Sequence, residues 1–273
     1  MKYIWRRTIM ITINQEKCIG CGACVRDCLA LNLQIKGGKA EVLDECLLCG
    51  HCYAVCPETA VEMPKEYLAA DTELCEGRLS SLDPAALLHS IKSRRSIRDY
   101  KKCPVEQEKL EQLLQAGRYT ATAKNNQDCY FIFVQEKRDV LKQMIWDFVE
   151  KKTAEYGDAI PEDFRPYVSF LRRQKADAAD DYLFRNAPVI VYLASDWPLD
   201  AGLAAQNMEL MAAAQGLGCL YNGFLARITE TNPQAKEWLG IPEIPIKACL
   251  LLGYPSVKYK RTAPRKAPNA IWR

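Results

Sequence analysis

No apolar run in this chain approaches the roughly 18 residues that a membrane-spanning helix needs, so no contact with a bilayer is expected. The stretch from Met1 to Thr12 carries Lys2, Arg6 and Arg7 but no apolar segment of secretory type. A cytoplasmic protein is expected, with Met10 as an alternative initiator. Histidine is scarce, with two in 273 residues. His89 falls on an apolar helical pattern, and no pair of carboxylates has the look of an acid–base couple. No Gly-x-Gly-x-x-Gly opens a helix after a strand, which removes a nicotinamide-binding Rossmann unit. Acidic residues are missing beyond Glu243, while Lys247, Lys258, Lys260, Arg261, Arg265, Lys266 and Arg273 follow. Such a tail is a solvated or anion-facing surface, and a net charge of +3 is too mild to point to nucleic acid. The remaining composition, 49% hydrophobic and 26% charged, is that of a globular chain able to bury a sizeable core.

Cysteine is the exception, with thirteen. Eight fall in two similar runs, Cys18-x2-Cys21-x2-Cys24-x3-Cys28 and Cys46-x2-Cys49-x2-Cys52-x3-Cys56-Pro57. A disulfide scaffold belongs to small exported chains, and zinc favours separated Cys pairs or Cys/His sets. The repeat is instead the pattern of bacterial ferredoxins that hold two four-iron four-sulfur clusters. Three thiolates on a tight loop reach three irons of a cubane, and the fourth must come from elsewhere. In that arrangement one cluster takes Cys18, Cys21, Cys24 and Cys56, and the other Cys46, Cys49, Cys52 and Cys28. Gly20, Gly22, Ala23 and Gly50 are small enough for backbone amides to approach sulfur. His51, between two ligands, is a spacer. Residues 10–66 are therefore read as a ferredoxin-like two-cluster module and 67–82 as a linker.

From Asp83 onward the pattern alternates between helices and strands. Asp83 and Pro84 suit the start of a helix with Leu87, Leu88 and Ile91 on its apolar face. A second helix is expected over Val105–Gly117, a strand over Cys129–Val134 and a helix near 137–152. Residues 153–185 are helical and aromatic-rich, like a lid. A buried strand follows at Pro188–Ala194 and an Ala-rich helix at Asp200–Gly216. Further strands are expected at Cys219–Leu225 and Ile246–Leu252. Cys75, Cys103, Cys129, Cys219 and Cys249 lack metal spacing; Cys219 and Cys249 fall in apolar strand-like runs where a buried, inert thiol is the default, and buried packing is expected of Cys129.

Ser93-Arg94-Arg95-Ser96-Ile97-Arg98 sets three guanidinium groups and a hydroxyl where they can grip a phosphate or cover a solvated helix end. With this segment begins a resemblance to the FMN-dependent nitroreductases, which carry an Arg-Arg-Ser-x-Arg motif after their first helix. Thr122-Ala123-Lys124-Asn125-Asn126-Gln127 resembles the family's Ser-x-x-Asn-x-Gln, without the flanking prolines and tryptophan. Asn186-Ala187-Pro188, the helix from Asp200, Gly216-Leu217-Gly218, Asn222-Gly223-Phe224 and Leu252-Gly253-Tyr254-Pro255 follow in the family's order. The resemblance covers about residues 84–266 and implies an α+β fold over 83–273, with a sheet flanked by helices in an intertwined homodimer.

It further implies FMN, with Arg94, Arg95, Ser96 and Arg98 on its phosphate and Arg261 or Arg265 completing that site. Thr122, Asn125 and Gln127 would come from the partner subunit. Leu220, Asn222 and Gly223 would lie beside the ring, an amide near Asn222 meeting its N5. The expected function is an oxidoreductase in which the clusters feed FMN and a small acceptor is reduced, such as a nitroaromatic, quinone or activated alkene. Reduced ferredoxin or NAD(P)H would be the donor. The alternatives are an electron-transfer adaptor for a protein partner, reductive dehalogenation, or chemistry on a flavin itself.

Overall fold

The computed structural model describes residues 10–44, 46–67, 69–75 and 82–273. The chain's start before Met10 and most of the second half of the expected linker lie outside them. The chain divides into two compact units, one within residues 1–81 together with Ala123–Asn126, the other of residues 82–122 and 127–273. Among the described residues no helix is long and apolar enough to cross a membrane.

The N-terminal unit is built twice over. Strand β1 (Thr12–Ile13) pairs antiparallel with β4 (Val61–Glu62), and β2 (Leu33–Lys36) pairs antiparallel with β3 (Lys39–Val42). Each cysteine run ends in a short helix, α1 (Ala23–Arg26) and α2 (His51–Val55). Both helices are entered through a glycine in the left-handed region, Gly22 at φ 70° and Gly50 at φ 76°. A side chain there would strain the turn that swings the second and third thiols inward. The core is small. Among the described residues five apolar ones other than cysteine, Ile11, Leu33, Ala40, Ala60 and Val61, are buried in it, beside Cys18, Cys24 and Cys52. So little apolar area does not hold a domain of this length unaided.

The second unit is organised by a four-stranded antiparallel sheet: β5 (Tyr130–Val134), β6 (Val189–Ala194), β7 (Gly218–Tyr221) and β8 (Ile246–Gly253), in the order β5-β6-β8-β7. Every residue of β6 is buried, as a central strand covered on both faces requires. Its odd-numbered residues Val189, Val191 and Leu193 pack with α4 (Gln107–Arg118) and α7 (Pro198–Ala214), through Leu110, Leu113, Ala201, Ala204, Ala205 and Met208. Alanines on α7 let that helix lie close to the sheet. The even-numbered Ile190, Tyr192 and Ala194 face the opposite core, made with α5 (Arg138–Tyr156) and α6 (Arg165–Ala176). The period of two thus separates two cores across one sheet.

Three expectations change. The strand expected over Cys219–Leu225 stops at Tyr221, because the Asn222 side chain accepts from Leu225 N (2.9 Å) and starts helix α8 (Gly223–Glu230). Helix α9 (Pro233–Trp238), also unforeseen, begins the same way, with Asn232 accepting from Ala235 N. The aromatic segment is not a lid. Phe164, Tyr167, Phe170 and Phe184 are buried in the second core, where Tyr167 meets Phe164, Phe170 and Phe224 ring against ring. Finally α3 (Pro84–Ser93), capped by Asp83 as expected, buries none of its residues, and Leu87, Leu88 and Ile91 stay 41–50% exposed.

Candidate functional site

In the N-terminal unit the eight thiols gather into two sets. One cavity is lined by Cys18, Cys21, Cys24 and Cys56, with Gly20, Gly22 and Pro57. The other is lined by Cys28, Cys46, Cys49 and Cys52, with Gly50 and His51. Each set takes three cysteines from one run and the last from the other run. The third cysteine of each run, Cys24 or Cys52, lies in the short helix and the last lies just past its end, turned toward the other set. Among the described residues no three His, Cys, Asp or Glu side chains converge as they would on a single metal ion. The thiols stand instead around two spaces, one set to each.

Backbone amides point at four of these sulfurs. Asn32 N donates to Cys28 Sγ (3.3 Å), Ala40 N to Cys18 Sγ (3.4 Å), Leu48 N to Cys46 Sγ (3.3 Å) and Ala60 N to Cys56 Sγ (3.3 Å). The Ala40 amide holds the Cys18 thiol below its ordinary range, while burial pushes Cys24 up and Cys52 up to about 11. Buried thiols of this kind carry a negative charge only against a metal's positive one. A two-cluster iron–sulfur centre fits this donor set: only thiols, four to a space, with amide hydrogen bonds to sulfur.

In the second unit, residues 94–98 run beside β7, with Ile97 N donating to Cys219 O (2.9 Å). The contact is close, since a Cβ on Gly218 would stand 2.4 Å from Ile97. On one side of this segment a cavity of about 240 Å³ is lined by Ser93, Arg94, Arg95, Glu209, Gly218 and Tyr259, among others. Arg94 Nη1 is 2.9 Å from each carboxylate oxygen of Glu209, a side chain only 6% exposed. Arg94 Nε is buried with no hydrogen-bond partner among the described residues. Arg95 lies over the Tyr259 ring at 5.7 Å. A guanidinium with an unmet donor, a second arginine and open space fit the phosphate of a nucleotide cofactor.

A second cavity, of about 320 Å³, is lined by Arg98, Leu220, Asn222 and Gly223 with Phe170, Tyr182, Arg185, Phe224 and Arg227. Arg98 thus lines a different cavity from Arg94 and Arg95, whereas the resemblance implies one phosphate site for all three. Ser96 lines neither cavity. The Asn222 side chain is committed to the fold: Oδ1 caps α8 and Nδ2 donates to Leu183 O (2.6 Å). Its backbone N–H donates to Cys249 O. Gly223 is the residue of the pair whose N–H opens α8.

Thr122, Asn125 and Gln127 line neither cavity. Thr122 Oγ1 accepts from Gln127 N (3.0 Å), and Asn125 Nδ2 donates to Leu48 O (2.9 Å) within the unit that holds the thiols. Arg261 and Arg265 are exposed on the tail beyond Tyr259. Cys219 and Cys249 are buried, and burial pushes both thiols well up; Cys129 is half-buried and also raised, by burial and then by Asp128. None has the depressed thiol of a nucleophile. Glu209, Tyr259, Arg185 and Arg227 were not foreseen. A lone charge in a run of mostly apolar residues, such as Glu209 in its alanine-rich helix or Arg227 between Ala226 and Ile228, looks like the solvated face of a helix.

Comparison with known proteins follows this division. Residues 91–254 match the nitroreductase family and residues 10–57 the 4Fe-4S dicluster domain. A candidate NADH dehydrogenase/NAD(P)H nitroreductase of Archaeoglobus fulgidus is 31% identical over 169 residues, 62% of this chain and 84% of that protein. An uncharacterized ferredoxin of Methanocaldococcus jannaschii is 38% identical over 60 residues, 20% of this chain and 97% of that one. Among solved structures, a nitroreductase with bound FMN from Bacteroides fragilis superposes with a TM-score of 0.55 at 21% identity, covering 68% of this chain and 98% of its own. One from Desulfitobacterium hafniense, also with bound FMN, gives 0.52 at 22%, covering 66% and 94%. These last two likenesses show the α+β fold. The chain belongs to the nitroreductase family of oxidoreductases and carries a 4Fe-4S dicluster domain at its N-terminal end.

Proposed function

We propose that electrons enter at two thiolate-bound four-iron clusters, pass to an FMN on the nitroreductase unit, and leave to a small acceptor such as a nitroaromatic, quinone or activated alkene. The observation that carries this is the crossed pair of thiol sets on the same chain as a nitroreductase fold whose cavity holds an unpartnered buried guanidinium nitrogen. The FMN bound by the Bacteroides and Desulfitobacterium relatives supports the choice of flavin. Bound FMN supplies a ring that collects electrons and returns them to substrate as a hydride equivalent.

The chain's own residues do the rest. Arg94 and Arg95 take the phosphate oxygens, with Glu209 fixing the orientation of Arg94. Arg98 and Leu220 lie on the ring side, and the Gly223 N–H meets the ring edge, because the Asn222 amide is already engaged. A second copy covers the exposed Leu87, Leu88 and Ile91 of α3 and brings Thr122 and Gln127, with Asn125 Oδ1, to the flavin. The Thr122 hydroxyl still has its proton to donate. Arg261 or Arg265 closes the phosphate site. Reduced ferredoxin or NAD(P)H is the donor, and iron held by thiolates suits the reducing cytoplasm.

Anaerobic purification with iron, sulfide and flavin analysis tests the cofactors, with about eight irons, eight sulfides and one FMN per chain expected from two cubanes and one flavin. Steady-state assays with each donor across an acceptor panel then test the reaction. Zinc in place of iron, or no flavin, overturns the proposal.

A further inference from the structure

We infer that the 320 Å³ cavity selects acceptors that are planar organic anions, binding their negative group with Arg185 and Arg227. This deepens the proposed function and rests on it for the ring against which the acceptor is reduced.

The cavity combines two kinds of wall. One is aromatic: Phe170 packs edge-on against Phe224 (5.2 Å between ring centres) and tilted against Tyr182 (4.9 Å). The other is cationic, with Arg98, Arg185 and Arg227 all lining the space and no Asp or Glu among the lining residues. Three positive charges without an acid would repel one another, unless solvent or an anion separates them.

The acids that could have neutralised Arg185 are occupied. Asp180 forms a two-point contact with Arg173, at 2.8 and 3.1 Å. Asp181, buried, accepts from Lys142 Nζ and from the amides of Phe184 and Asn186. These amide bonds brace a turn in which Arg185 (φ 57°) and Asn186 (φ 51°) both lie in the left-handed region that non-glycine residues seldom adopt. The turn holds the Arg185 guanidinium 3.7 Å from the centre of the Tyr182 ring. Strain of this sort persists where surrounding bonds enforce it, and here it presents a charge to a cavity. Arg227, exposed on α8, faces the same space. Its nearest acid along the chain, Glu230, is engaged by Lys236 and by the Ile246 amide.

Arg98 is the arginine assigned to the flavin, which leaves Arg185 and Arg227 for a second anion. Tyr182 is taken up by Arg185 and by Arg173, whose guanidinium lies 4.5 Å from the ring centre, so Phe224, 41% exposed, supplies the face for a flat body, and the forked guanidinium donors suit a carboxylate.

The test is calorimetric titration of the oxidised, cofactor-loaded protein with 4-nitrobenzoate and with its neutral analogue 4-nitrobenzamide, the flavin content of each sample being read from its absorbance. 4-Nitrobenzoate is expected to bind about tenfold or more tightly, and Arg185→Gln or Arg227→Gln to remove most of that preference. The amide's affinity should stay within about twofold in both variants, which reports that the cavity has kept its shape. Equal affinity for the two compounds in flavin-loaded protein, or a preference untouched by both substitutions, overturns the inference and leaves the flavin reading standing. A carboxylate preference in protein that holds no flavin upholds the anion site and overturns the flavin reading. A third titration, with NADH, separates sources: arginine-dependent binding of NADH without binding of 4-nitrobenzoate would give the site to the donor and overturn the inference.

Discussion

Arg94 and Glu209 meet in the lining of the 240 Å³ cavity, with one guanidinium nitrogen 2.9 Å from both carboxylate oxygens. The acid is buried and the arginine is 30% exposed. Arg94 thereby neutralises Glu209 and, in the proposed function, offers its remaining edge to the flavin phosphate.

Removing Arg94 strands a buried carboxylate. Arg94→Ala should lower stability toward the low end of the about 3–5 kcal/mol typical of a broken buried pair, since the arginine is partly solvated. FMN retention should fall about tenfold or more, with both clusters kept. Arg94→Ala/Glu209→Gln should recover most of the stability and none of the flavin. Calorimetric melting and flavin content after gel filtration read the two effects separately. Full flavin retention in both variants would remove Arg94 from the cofactor site.

Crossed ligation makes a pairing prediction. Cys28→Ala should remove the same cluster as Cys49→Ala, and Cys56→Ala the same cluster as Cys21→Ala, as judged by the low-temperature electron paramagnetic resonance of the reduced protein. If Cys28→Ala instead matched Cys21→Ala, each run would serve its own cluster. Iron removal by a chelator should also unfold this unit, because five buried apolar residues are too few to hold it without metal.

An apolar helix face exposed on α3 predicts self-association. Leu88→Lys should shift the protein from dimer to monomer in sedimentation, and flavin should be lost with the partner's contribution. A monomeric wild type that holds flavin would contradict this.

The parts visible in the sequence were those fixed by local spacing. Three cysteines on one loop and the next one beyond it declare a metal centre wherever the chain goes, and Asp83-Pro84 declares a helix start. Helices α8 and α9 were legible too, in Asn222-Gly223 and Asn232-Pro233, but an apolar run through Cys219–Leu225 masked the first cap. The aromatic segment misled because its period is that of an amphipathic helix, which does not say what covers its apolar face. Glu209 could not be found, since its meaning depends on Arg94, 115 residues earlier. Arg98, Arg185 and Arg227 meet only because the β5-β6-β8-β7 order carries three distant segments to one place.

The central claim is that the clusters feed the flavin, and anaerobic stopped-flow mixing with a reduced ferredoxin tests it most directly. In the wild type, flavin absorbance should bleach after the clusters are reduced, at a rate independent of protein concentration, as transfer within one assembly requires. Cys49→Ala protein that retains its FMN should lose this bleaching, while dithionite still bleaches its flavin directly. Flavin reduction by the ferredoxin at the wild-type rate in Cys49→Ala protein would contradict the account.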